Sequence, residues 1–218
     1  MNALDSFLEI LGTTNPDQEF LIDMHFDDPT IVPFEVAHIA TDLVPQADKY
    51  VNGKSHIRIV GRDGASISEE NYRWTGDLIR WADQGNIVQY LLLDPSEDAI
   101  SRLKKEIQKL GECKGQLQLI SIDPDKGLEV ADIKLLERWK TFHFVSFENP
   151  KQLWVENFHA TGLDAQGCSY FPPSAAEKST LWSILTLQFD HIVSKYGRTI
   201  LSAGEVCEER VAPAMECV

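Results

Sequence analysis

The sequence predicts an α/β protein: a mixed, mostly parallel sheet with helices on both faces, ending in a hairpin and a long C-terminal helix. Two observations carry this. From His56 onward, apolar runs of strand length alternate with stretches of helical periodicity, as in strands joined by crossover helices. One run, Asn86 to Leu93 (NIVQYLLL), is apolar almost throughout, which suits a strand buried on both faces of a parallel sheet.

The elements follow in order. Residues 2–12 read as a short amphipathic helix with Leu4, Phe7, Leu8 and Leu11 on one side. Phe20-Leu21-Ile22 and Ile31-Val32 are strand-like, and Phe34 to Ala40 fits either strand or helix. Ile57 to Val60 is a strand bounded by Gly61 and Gly64. Ser66 and Glu69 have capping-box spacing and open a helix to about Gln84, where Gly85 supplies a left-handed C-cap. Asp94-Pro95-Ser96-Glu97 begins the next helix, with Asp94 as N-cap and Pro95 at the first helical position. Its apolar positions are Ala99, Ile100, Leu103, Ile107 and Leu110, and Gly111 stops it.

Leu117 to Ile122 is a strand, followed by a loop and a helix over about 131–140. Phe142–Glu148 and Leu153–Phe158, joined by a turn-like Asn-Pro-Lys-Gln, read as a hairpin. Residues 160–172 read as a Gly-bearing loop. The last helix, about 174–196, shows a stripe of Trp182, Leu185, Phe189, Ile192 and Tyr196. The expected organisation is an acidic arm or sheet extension over 1–50, an α/β domain over 51–200, and a flexible acidic tail over 201–218.

Charge bounds the partners. The net charge is −14, and residues 1–48 hold ten acids with no Lys or Arg. The stretch from Glu205 holds four acids and Arg210, so the body between is nearly neutral. No basic face of the kind that supplies nucleic-acid affinity is evident, so nucleic acid is not favoured. The acids keep the chain soluble or meet a basic protein partner. The four cysteines (Cys113, Cys168, Cys207, Cys217) form no CxxC pair, and no Cys/His cluster has zinc spacing. No signal peptide, membrane span or cofactor is expected, and a cytoplasmic location with reduced thiols is expected.

The densest chemistry lies in HFVSFENPKQLWVENFH, His143 to His159. Strand alternation puts His143, Val145 and Phe147 on one face, and points Glu156 and His159 apart, a poor metal pair. Arg58, Arg62 and Asp63 lie near the end of the first strong strand, where open α/β sheets bind ligands. Within this segment His56, Arg58 and Asp63 also match a short H-x-R-x(4)-D pattern, best taken as chance.

Over about 56–196, this order of strands and helices, with a hairpin opening on His143, resembles one half of the phospholipase D-like fold. In that superfamily the hairpin carries H-x-K-x(4)-D, whose His is nucleophile or acid–base partner and whose Lys holds phosphate. Two such motifs meet to complete a site. The resemblance makes His143 the motif His. It places Val145 at the Lys position and Pro150, beside Glu148 and Asn149, at the Asp position. Valine cannot stabilise the charge of a phosphodiester transition state.

The resemblance therefore implies a non-catalytic interaction or sensing module, a regulatory or accessory subunit. His143 is then the one retained catalytic position, or a strand His with a satisfied ring. Arg58, Arg62, Asp63, Asp94, Glu148, Asn149, Glu156 and His159 are the candidate ligand residues, and no metal or cofactor is expected. One alternative is a phosphodiesterase assembled at a homodimer interface, with a cation borrowed from Lys151, Arg58 or Arg62. Another is a nucleotide or small-ligand sensor using the cleft near Asp63 and Asp94.

Overall fold

A computed structural model describes residues 33–34, 48–49, 51, 53–64, 74–108, 114–158 and 165–203. The helix expected at 2–12, the strand pieces at 20–22 and 31–32, the capping box Ser66/Glu69, His159 and the tail beyond 203 lie outside them.

The fold is α/β, with one mixed sheet between two helical layers. Its strands are β1 (Pro33–Phe34), β2 (His56–Gly61), β3 (Ile87–Leu92), β4 (Gln116–Ile122), β5 (Phe142–Glu148), β6 (Lys151–Phe158), β7 (Ala165–Phe171) and β8 (Gly197–Ala203). The helices are α1 (Trp74–Asp83), α2 (Glu97–Gln108), α3 (Val130–Trp139), α4 (Pro173–Ala176) and α5 (Thr180–Tyr196). The spatial order is β1-β7-β6-β5-β2-β3-β4-β8. The centre, β2-β3-β4, is parallel, and the flanking pairs are antiparallel.

Alternation along the strands divides the core in two. Ile57, Ile59, Val88, Tyr90, Leu117, Val145, Phe147 and Trp154 pack with Leu78 and Trp81 of α1 and Ala99 and Leu103 of α2. Val60, Leu91, Ile120, Phe144, Leu153 and Val155 pack on the other face with Leu136 and Trp139 of α3 and Leu185, Phe189 and Ile192 of α5. The apolar run in β3 serves both layers at once: Val88 and Tyr90 face one, Leu91 the other.

Polar groups tie the elements together. Gly85 ends α1 at φ 96°, with its N–H donating to the Ala82 carbonyl at 2.9 Å. Asn86 is fully buried; its Oδ1 accepts from the Ser55 N–H at 2.9 Å, and its Nδ2 donates to the Trp81 carbonyl at 2.8 Å. Asp132 joins α3 to α5, accepting from the Tyr196 hydroxyl at 2.6 Å and from His191 Nε2 at 3.1 Å. Burial alone would raise its pKa, but the hydrogen bonds from Tyr196, His191 and Lys195 hold it below the usual carboxylate value.

Four expectations are corrected. The cap of α2 is Ser96, whose hydroxyl accepts from the Ala99 N–H at 3.1 Å, so Asp94 lies outside the helix. The last helix is interrupted: α4 stops at Ala176, and Ser179 in extended backbone caps α5 by accepting from the Trp182 N–H. The loop expected over 160–172 contains β7, because Tyr170 and Phe171 pair with Trp154 and Leu153 and bury on opposite faces. The boundary expected at 201 falls inside β8, which continues straight from α5 and pairs with β4. In both strands it is pairing with other strands of the sheet, rather than a strong local pattern, that fixes the extended backbone.

Candidate functional site

β5 runs antiparallel to β2. Its start therefore lies beside the end of β2, and its end beside the start of β2. This one fact sorts the candidate residues into two groups at opposite ends of the strands and on opposite faces.

The first group lies at the carboxyl end of β2 and β3. Phe144 is opposite Val60, which brings His143 level with Gly61. The loops after the two strands are laced together: Leu93 N–H donates to the Gly61 carbonyl at 3.0 Å, Asp94 N–H to Arg62 at 2.7 Å, and Ser96 N–H to Asp63 at 3.0 Å. Arg62, Asp63 and Asp94 are thereby held beside His143. His143 is half-buried, with Nε2 sealed from solvent. Burial pushes its pKa down to about 4, opposed by the carboxylate of Asp63 and reinforced by the Arg62 guanidinium. The ring is accordingly neutral at pH 7.

Two further residues belong here. A Cβ on Gly61 would come within 2.6 Å of the Tyr90 hydroxyl oxygen, so the glycine makes room for Tyr90 on the face that carries His143. Lys140, just after α3, lies within electrostatic reach of Asp94 and Arg62 and donates to Glu137 at 2.8 Å. In register, Glu156 is opposite His143 and Cys168 opposite Glu156. Val145, the next residue on the His143 face, is 3% exposed and lies opposite Trp154 in the core.

The second group lies on the other face, towards the start of β2. Arg58 is buried, and its guanidinium is committed to carboxylates: Nε and Nη2 donate to Asp190 at 2.7 and 3.1 Å, and Nη1 donates to Glu148 at 3.1 Å. His56 stands between Glu148, 3.7 Å from Nδ1, and Gln89 Oε1, 2.7 Å from Nε2. Gln89 in turn donates to Gln118 at 2.7 Å, carrying the polar row across three strands. Burial lowers the His56 pKa, as does Arg58, against the opposing influence of Gln89, Asp190 and Glu148. The N–H groups of Glu148 and Asn149 both donate to the Ser55 hydroxyl, at 3.2 and 3.1 Å. Lys151 sits over the Trp182 ring at 4.5 Å.

The structure thus brings His143, Arg62, Asp63 and Asp94 together and places Arg58, Glu148 and Asn149 elsewhere. Of the three cations considered as lenders to His143, only Arg62 is beside it. Sequence reasoning missed Asp190, which is 132 residues from Arg58, and Tyr90 and Lys140. The signal for Tyr90 was a hydroxyl inside an apolar strand; for Asp190 there was none. No group of three or more His, Cys, Asp or Glu side chains among the described residues could hold a metal ion, and no described helix is long and apolar enough to cross a membrane. No known family model matches the chain, and no curated protein matches it in sequence.

Proposed function

We propose that the chain is a non-catalytic phospholipase D-like module that acts by interaction or sensing, as a regulatory or accessory subunit. The observation that carries this reading is Val145. The position that would hold the phosphate-binding lysine is an aliphatic side chain closed into the core opposite Trp154. The order of elements from β2 to β6 supports the resemblance: strand, helix, strand, helix, strand and helix, then a hairpin that opens on His143, with β7 and α4 standing between that hairpin and the long helix. Pro150 stands in the hairpin turn, at the far end of β5 from His143. His143 keeps a neutral imidazole, which can make a hydrogen bond but offers no charge to a phosphodiester.

The test is turnover of bis(4-nitrophenyl) phosphate by the purified full chain. Release of nitrophenol no faster than the blank is expected. Hydrolysis that His143→Ala abolishes overturns the reading and favours a phosphodiesterase.

A second reading, a small-ligand or nucleotide sensor, draws on the meeting of Arg62, Asp63 and Asp94 at the carboxyl end of a parallel pair, where open α/β sheets take ligands. A thermal shift with nucleotide that Arg62→Ala removes would support it. A nucleotide at a hundred times its dissociation constant adds about 2.7 kcal/mol.

A further inference from the structure

Arg62 links the charges at the carboxyl end of β2 and β3. Its guanidinium is within electrostatic reach of two groups on separate elements, the Lys140 ammonium just after α3 and the His143 imidazole on β5. Each of these also feels a carboxylate: Lys140 that of Asp94, and His143 that of Asp63. Two cations and two anions thus converge around a neutral imidazole. The backbone beneath them is pinned by the Asp94 N–H to the Arg62 carbonyl at 2.7 Å and by the Ser96 N–H to the Asp63 carbonyl at 3.0 Å. Charge is balanced here, in a chain whose net charge is −14.

These charges do not cancel in pairs. Arg62 and Asp94 are both exposed, and among the described residues neither side chain has a hydrogen-bond or ion-pair partner. Lys140 gives one N–H to Glu137 at 2.8 Å, and an ammonium has three to give. Lys140 and Arg62 also lie in each other's field, where like charges repel. A carboxylate within reach of both relieves that repulsion and matches the planar fork of the guanidinium.

We propose that this end of the sheet holds a small zwitterion, a free amino acid, with its carboxylate on Arg62 and Lys140 and its ammonium on Asp94; this rests on the small-ligand reading above and names the ligand class. Both charges of the ligand are required. A carboxylate alone meets Asp63 and Asp94 at the site and the net charge of −14 around it. An ammonium alone meets Arg62 and Lys140. A nucleotide brings several negative charges and no positive one to offset them. An amino acid brings one of each and no net charge, so neither the ions of the site nor the charge of the chain opposes it. The place is the one where open α/β sheets take ligands.

The experiment screens the full chain by thermal shift against each of the common free amino acids, with nucleotides alongside. One amino acid or a few raise the melting temperature, as a ligand of the folded state does. By calorimetry with the amino acid that gives the largest shift, the matching amine without its carboxylate and the matching acid without its amine each bind at least about tenfold more weakly. Arg62→Gln and Asp94→Asn each weaken the amino acid by about tenfold too. Without ligand both variants melt as the parent does, since both side chains are exposed. Acid or amine alone binding as tightly as the amino acid overturns the proposal, and so does undiminished binding by either variant. A shift with nucleotides and none with any amino acid overturns the ligand class and leaves the small-ligand reading standing. No shift with either set overturns both.

Discussion

Arg58 is the residue whose setting the sequence conceals most completely. It lies on a central strand, 5% exposed, and its positive charge survives there because Asp190 and Glu148 meet three of its nitrogens. The two sides of this pair are unequal. The carboxylates are 45% and 51% exposed, so water can solvate either when the arginine is gone. The guanidinium has no such recourse. Arg58→Met is therefore expected to cost little, about 1 kcal/mol or less, because it exchanges a buried ion for an apolar chain of similar length. Asp190→Ala is expected to cost more, about 2 kcal/mol, because it leaves the buried cation with Glu148 alone. Urea denaturation of both variants checks the order, and the reverse order would mean that the cation is better solvated than its burial implies. Alternation along the chain does say that Arg58 and His143 lie on strands with defined faces. It cannot say that those faces are opposite ones, because the relation depends on how β2 and β5 pair across almost ninety residues.

Local chemistry was the more legible where it was self-contained. The β5–β6 hairpin, the end of α1 at Gly85 and the span of β3 follow from residues within one element and its immediate neighbours. β8 does not, since it depends on β4, a partner brought from far back in the chain, and β7 is extended only because β6 and β1 pair with it on its two sides. Asn86 shows how such joins are made. Its side chain satisfies the Ser55 N–H ahead of β2 and the Trp81 carbonyl in α1, while its own carbonyl accepts from the Gln116 N–H at 3.0 Å. Asn86→Leu leaves the buried Ser55 N–H unsatisfied and removes one donor from the Trp81 carbonyl, which keeps the Asn86 N–H at 3.2 Å, and is expected to lower stability by about 1–3 kcal/mol in chemical denaturation. Asn86→Ser, able to reach at most one of them, should fall between. Gly85→Ala acts on the same join: it forces a side chain into φ 96° and brings its Cβ to 3.0 Å from the Gly53 carbonyl oxygen. A loss of about 1–2 kcal/mol is expected.

At the scale of the whole molecule, the half-buried histidines His56 and His143 give stability a defined response to acid. His143 titrates at about 4 in the folded chain against 6.5 when unfolded, and His56 is also lowered. Between those values the unfolded chain binds protons that the folded chain refuses, so stability falls as pH drops from about 6.5. For His143 the loss reaches at most roughly 3 kcal/mol once pH is at its folded value, since every tenfold difference in proton affinity is worth about 1.4 kcal/mol. Asp132 acts in a lower window. Its folded pKa lies below the unfolded value of 3.8, so the stability it contributes is intact above that value and lost only as pH falls through the folded one. The acid limb should therefore have two parts: a descent from pH 6.5 to 4 owed to the histidines, and a further fall below it as the α3–α5 join protonates. His143→Gln is expected to flatten the first part and leave the second, whereas Asp132→Asn should lower stability at neutral pH and remove part of the second. Denaturation midpoints measured from pH 7.5 to 3 would separate the two. An unchanged slope between pH 6.5 and 4 in His143→Gln would mean that His143 takes up its proton without cost, and hence that its ring lies in a wet, polar site.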